Sequence, residues 1–131
     1  MRGRLDRGTN LPLMDLVLNG SPVTLLVDTG FTGPIAIGLD CSERIGLRPG
    51  TRRGLSKTAG GPAEFTQSTS RVLWFDRERE TTVLIWKTDT VGPVDGLIGA
   101  RFLIGYILVV DFNEGDVLIK DPALLSTLDD L

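Results

Sequence analysis

The chain has 131 residues, 41% of them apolar and 24% charged, a length that suits one domain with a real core and is too short for two ordinary ones. Its net charge is -3 and its basic residues are scattered, Arg52 and Arg53 being the densest internal pair, so no stripe for a phosphate backbone appears and nucleic acid is not expected as a partner. With no histidine and Cys41 as the one cysteine, the usual zinc sites, the Ser-His and Cys-His nucleophile systems and any internal disulfide are excluded together, and hydrolytic chemistry would have to run on carboxylates.

The start, "MRGRLDRGTN", reads as a polar lead-in. The apolar stretch after it is broken by Asp15 and so lacks the core of a signal peptide. "LPLMDLVLNG" and "SPVTLLVDTG" are two extended runs hinged at Asn19-Gly20, the dipeptide that most favours a tight hairpin. "GPIAIG" predicts a further strand, and "LDCSERIGL" a turn or two of helix ending near Gly46. "RPGTRRGL" is loop or the approach to a strand. "LSKTAGGPAEFTQSTS" has the composition of a long exposed hairpin whose tip, Ala59-Gly60-Gly61-Pro62, needs a permissive backbone.

"RVLWF" and "TTVLIWKT" predict strands around "DRERE", read as a solvated turn. "VDGLIGARFLIGYILVVDF" opens as a dense apolar strand, passes a short helical piece and continues into a second strand. "NEG" then turns it into "DVLIK", and the tail "DPALLSTLDDL" frays or forms a short helix. The 16 glycines and 7 prolines fit many short elements, so a mostly β domain is expected. No segment reaches membrane-spanning length. A cytoplasmic protein in a reducing compartment, without a membrane partner, is the expectation.

The stretch "LLVDTGFTGPIAI" places Asp28 at the end of an apolar strand and follows it with Thr29 and Gly30. The plain reading is a capping aspartate whose carboxylate closes the next turn. The surrounding order says more: paired apolar strands, Asp-Thr-Gly, a second apolar strand, a glycine-rich hairpin, and Leu97-Ile98-Gly99 leading to a helical piece. This order resembles the retropepsin-like aspartic proteases over about residues 11 to 120, nearly the whole chain.

The resemblance implies a closed β-barrel, half of an acid protease, with one or two short helices, and an aspartic endopeptidase as its function. It implies that Asp28 is the catalytic carboxylate, that Thr29 joins the network locking two active-site loops together, and that Gly30 lets the backbone pass close to substrate. Ala59, Gly60 and Gly61 would bind substrate as the tip of a flap over an extended peptide, and Phe31 would also be substrate-binding, adding apolar bulk near the site that restricts which side chains fit. Leu97, Ile98 and Gly99 would pack beneath the loop. Aspartic proteases use two carboxylates sharing one proton, and this chain has a single Asp-Thr-Gly, so a homodimer is implied. No metal or organic cofactor is implied.

Two positions depart from many viral members, which carry an acidic residue two places after the motif glycine and an arginine after the later glycine. Here Thr32 and Ala100 occupy them. The alternative function is a retropepsin-fold dimerisation or peptide-binding module with weak or absent turnover. Actin-type and sugar-kinase-type ATPases share an Asp-x-Gly phosphate loop but need two large lobes. A haloacid-dehalogenase reading fails at Gly30, where its second aspartate would stand.

Overall fold

The computed structural model describes residues 1–58, 61–89 and 93–125. Its first hairpin forms where the chemistry demands one: Asn19 (φ 53°) and Gly20 (φ 78°) both adopt left-handed backbone, the conformation of a two-residue turn whose twist matches the flanking strands. It joins β2 (Pro12–Leu18) to β3 (Ser21–Val27), paired from Leu13↔Leu26 to Leu18↔Ser21. The Asn19 side-chain amide donates to the Ile45 carbonyl at 2.9 Å and ties the turn to the helix that comes later.

After the Asp28 loop comes β4 (Ile35–Ile37), all three residues buried, then helix α1 (Leu39–Ile45), which stops at Gly46 in left-handed backbone (φ 73°). Cys41, Ser42 and Ile45 form its buried face. A long hairpin follows, β5 (Arg53–Thr58) with β6 (Gly61–Trp74), and β6 then folds back onto β7 (Arg77–Trp86). β8 (Gly96–Ile98), helix α2 (Ala100–Leu103), the hairpin β9 (Ile107–Asp111) with β10 (Asp116–Lys120), and helix α3 (Pro122–Leu125) complete the described chain.

The fold is mostly β, as expected, and closes into the barrel that the resemblance implies. Strands β2, β3, β8, β4, β7 and β6 are neighbours in that order, and β6 returns to β2 through Val17↔Leu73 and Leu18↔Val72, closing a six-stranded barrel. β8 runs parallel to β3 and antiparallel to β4, so three short apolar strands meet in its wall. Inside lie Met14, Leu18, Leu25, Ile35, Ile37, Val72, Val83, Ile98 and Phe102, none more than 1% exposed.

Two expectations are corrected. The lead-in is not merely polar: β1 (Arg2–Leu5) pairs with β2 and with β10, so the sheet begins well before residue 11. The "DRERE" turn shrinks to Phe75 and Asp76, both with positive φ (50° and 60°), while Arg77 to Glu80 belong to β7. The continuous β6–β7 register holds those charged residues in the ladder, where Glu78 pairs with Arg71 at 3.0 Å and half-buried Arg79 lies 4.3 Å over the Phe102 ring. Three short helices lie among the described residues, α3 being the helical alternative expected of the tail.

Candidate active site

Side chains alternate along β3: Leu25 and Val27 point into the core, at 0% and 5% exposure, while Leu26 and then Asp28 lie half-buried on the other side. The ladder with β8 pairs Val27 with Ile98. One step on, the Asp28 backbone amide still donates to the Ile98 carbonyl at 2.9 Å, and there the strand ends.

The loop closes on its own carboxylate. Asp28 Oδ1 accepts the Gly30 N–H at 3.0 Å, and the Asp28 carbonyl accepts the Phe31 N–H at 3.2 Å. The plain capping role therefore occupies one carboxylate oxygen. No described residue donates to Oδ2. Thr29 and Gly30 are exposed beside it. A Cβ added to Gly30 would stand 3.3 Å from Oδ1, a tight but not prohibitive approach.

The far side of the loop is laced to the end of β8. Gly99 N–H donates to the Pro34 carbonyl at 2.6 Å, and Ala100 N–H to the Phe31 carbonyl at 2.8 Å. Gly99 has ordinary extended angles (φ -97°, ψ 174°), so its role is space and not dihedral freedom. An added Cβ would meet the Gly33 carbonyl oxygen at 2.0 Å and the Phe31 ring at 2.7 Å. Gly96 is equally confined, its added Cβ falling 1.9 Å from the Ala36 carbonyl oxygen.

Phe31 corrects the sequence reading. Its ring points inward and is 1% exposed, so it offers no surface to a peptide. Gly33 and Gly99 leave a slot that the ring fills, and it joins Ala36, Phe65 and Leu84 in a second apolar cluster, with Trp86 and Leu97 packed against it. Phe65 lies on β6, so this cluster links the underside of the Asp28 loop to the base of the β5–β6 hairpin. Sequence reasoning missed that link. Its available signal was the apolar Phe65 inside an otherwise polar hairpin.

The structure thus brings Asp28, Thr29, Gly30 and Phe31 onto one loop, held from below by Ile98, Gly99 and Ala100. Gly61 stands on a separate element, opposite Thr58 at the end of the β5–β6 ladder, with φ 102°. Ala59 and Gly60 lie outside the described residues. Lys87 pairs with Glu64 at 3.0 Å and ties the end of β7 to the same hairpin.

A second polar arrangement anchors β8 at its other end. Asp95 Oδ2 accepts the Thr24 N–H at 2.8 Å, Asp95 Oδ1 accepts from Arg44 at 3.0 Å, and the two backbones bond as well. Burial on its own would raise this carboxyl, but the Arg44 and Thr24 hydrogen bonds outweigh it and hold Asp95 below the usual aspartate range. Arg44 also approaches the Cys41 sulfur at 3.8 Å. Among the described residues no group of three or more His, Cys, Asp or Glu side chains is placed to hold a metal, and no helix is long and apolar enough to cross a membrane.

A family model described as aspartyl protease matches residues 14–102. Among solved structures, the EIAV protease in complex with the inhibitor HBY-793 is 20% identical, with a TM-score of 0.60 over 76% of this chain and 90% of its own. A retropepsin-like aspartic protease from Rickettsia conorii is 15% identical, with a TM-score of 0.66 over 92% of this chain and 89% of its own. The retroviral protease-like domain of Ddi1 from Leishmania major is 15% identical, with a TM-score of 0.54 over 83% and 89%. At these identities the likeness is one of fold. No curated protein matches the sequence.

Proposed function

The chain belongs to the aspartyl protease family, and from that premise we propose that it is an endopeptidase whose catalytic dyad is made by Asp28 from each of two copies. The observation that carries this reading is the Asp28 loop. Its carboxylate is fixed through Oδ1 by the loop's own Gly30 amide, keeps Oδ2 clear of described donors, and stands on a support laced to β8 by three backbone hydrogen bonds.

A single carboxylate is a poor catalyst for amide hydrolysis. Two in contact cannot both ionise, so they share a proton and titrate as a pair. The charged member takes a proton from a bound water, which attacks the scissile carbonyl, while the protonated member donates to the carbonyl oxygen. Thr29, an exposed residue next to Asp28, joins one loop to its two-fold mate in this reading. Gly30 lets the main chain run close to an extended peptide, and Ala59, Gly60 and Gly61 close over that peptide as a flap. Phe31 acts from behind, as a plug that keeps the loop from sinking.

The test is a peptide-library digest across pH, with wild type beside Asp28→Asn. Internal cleavage, best at acidic to mildly acidic pH, unaffected by EDTA and absent in the variant, supports the proposal. Cleavage that EDTA abolishes and zinc restores, or that persists in Asp28→Asn, overturns it.

A further inference from the structure

The β5–β6 hairpin leaves the barrel at one residue. Among the described residues the β6–β7 ladder runs from Trp74↔Arg77 to Phe65↔Trp86 and ends there, whereas β5 stays paired with β6 from Arg53↔Thr66 to Thr58↔Gly61. Past Phe65 the hairpin is therefore a ribbon of two strands, held at its base. Of residues 53–55 and 61–64 none is buried, while Phe65 is 7% exposed. Its ring edge lies where Gly54, its partner on β5, has no side chain: an added Cβ there would stand 2.9 Å from the ring. The same ring belongs to the apolar cluster of Phe31, Ala36 and Leu84.

We infer that Phe65 is a positioning residue for Asp28: a peptide strand drawn against the ribbon loads the Phe65 ring, and the packed cluster passes that load to Phe31 and so to the seat of the Asp28 loop. The inference rests on the endopeptidase reading above and adds to it a residue that acts through another.

A ribbon anchored at one end delivers a force along its length to its anchor, and Phe65 is where this ribbon enters the interior. A close-packed interior compresses little, so the displacement of one ring is handed on rather than absorbed. At the far end of the cluster the Phe31 ring stands against the bare backbone of Gly33 and Gly99, whose added Cβ atoms would come within 2.5 and 2.7 Å of it. The Phe31 backbone is itself part of the loop, its N–H bonded to the Asp28 carbonyl at 3.2 Å and its carbonyl to the Ala100 N–H at 2.8 Å. Misplacing a reacting group by about 1 Å can cost about a hundredfold in rate, so a seat that tightens when peptide is present directs binding energy to the chemical step. The ribbon keeps its own anchorage without the ring, through the β6–β7 ladder and the Gln67 N–H, which donates to the Arg52 carbonyl at 2.9 Å.

Phe65→Leu tests it, with Ile45→Val, a truncation in the barrel's other apolar cluster, as the control for lost stability. Under conditions where urea melts show each protein folded, Phe65→Leu should lower kcat at least about tenfold with KM within about twofold of wild type, while Ile45→Val keeps both. Gly54→Ala, which crowds the same ring from β5, should lower kcat in the wild-type background and cost little more in Phe65→Leu. Hydrogen exchange gives a readout apart from turnover. A peptide with a hydroxyethylene group in place of the scissile amide should slow the Gly99 and Ala100 amides in wild type; in Phe65→Leu it should slow Ala63 and Glu64 as before and leave Gly99 and Ala100 unchanged. Turnover and exchange in Phe65→Leu equal to wild type overturn the coupling and leave the Asp28 dyad standing, as does a loss of kcat that Ile45→Val matches. A wild type that cleaves no peptide, or an Asp28→Asn variant that does, overturns the endopeptidase reading and this inference with it.

Discussion

The Asp28 amide and the Ile98 carbonyl, 2.9 Å apart, form the last rung between β3 and β8, and the loop that carries the carboxylate is built outward from that rung. Asp28 is placed by strand pairing and not by a flexible tether. Whatever shifts β8 against β3 shifts the carboxylate.

Gly99 follows that rung and is confined by backbone. Since the atom an added Cβ would meet at 2.0 Å is the Gly33 carbonyl oxygen, Gly99→Ala cannot be relieved by a rotamer change. The variant should lose about 1–3 kcal/mol in a urea melt, the range for overpacking in a filled interior, and peptidase activity should fall further than stability does. A melt and rate equal to wild type would mean that the loop is not seated on β8 as described.

Much of this was legible in the sequence because it is local chemistry. Asn19-Gly20 names its own turn, Gly46 ends its helix in left-handed backbone, and Asp28-Thr29-Gly30 sits where an apolar run stops. What was not legible depends on partners far along the chain. "RGRL" becomes a strand only because β10 and β2 lie on either side of it. Arg77 to Glu80 stay extended because β6 supplies a ladder that their charge does not forbid. Phe31 turns inward because Gly33 and the distant Gly99 both lack a side chain where its ring lies. Local sequence announces turns and caps; strand partners and slots are properties of the assembled barrel.

The Asp95 clasp gives a pH dependence of known sign. The hydrogen bonds from Arg44 and Thr24 lower its folded pKa below the value of about 3.9 for an unfolded aspartate. The stabilisation is therefore complete above the unfolded value and lost as pH falls through the folded one. Asp95→Asn should be less stable than wild type at pH near neutral, and the gap in urea midpoint should close as the solution is taken well below the carboxylate range. A gap that stays constant with pH would show that the ionised carboxylate contributes nothing. Because the folded value is depressed, the clasp also outlasts the mildly acidic range in which the proposed dyad works.

Cys41 should be inert while the protein is folded. Its side chain is 0% exposed, and burial first, with Asp95 adding to it against Arg44, pushes the thiol up to about 11. The thiolate is the reactive form, so alkylation at mildly alkaline pH should run at least about a hundredfold slower than in the urea-unfolded chain. Rapid labelling of the native protein, followed by mass spectrometry, would place Cys41 at the surface and displace α1 from its described packing.

The sharpest consequence concerns stoichiometry, because one chain supplies one Asp28 and the proposed chemistry needs two carboxylates in different protonation states. Asp28→Asn should fold and associate, since the amide keeps the shape and removes like-charge repulsion, yet show no turnover. Wild-type chains allowed to exchange with a threefold excess of the variant find a wild-type mate only about one time in four, so activity per wild-type chain should fall about fourfold. Dilution of wild type alone should lower specific activity in step with the dimer population seen by sedimentation. Activity that instead follows wild-type content in simple proportion under exchanging conditions would mean that each chain works by itself. The lone carboxylate at the end of β3 would then need a partner from its own chain, and the shared dyad would have to be given up.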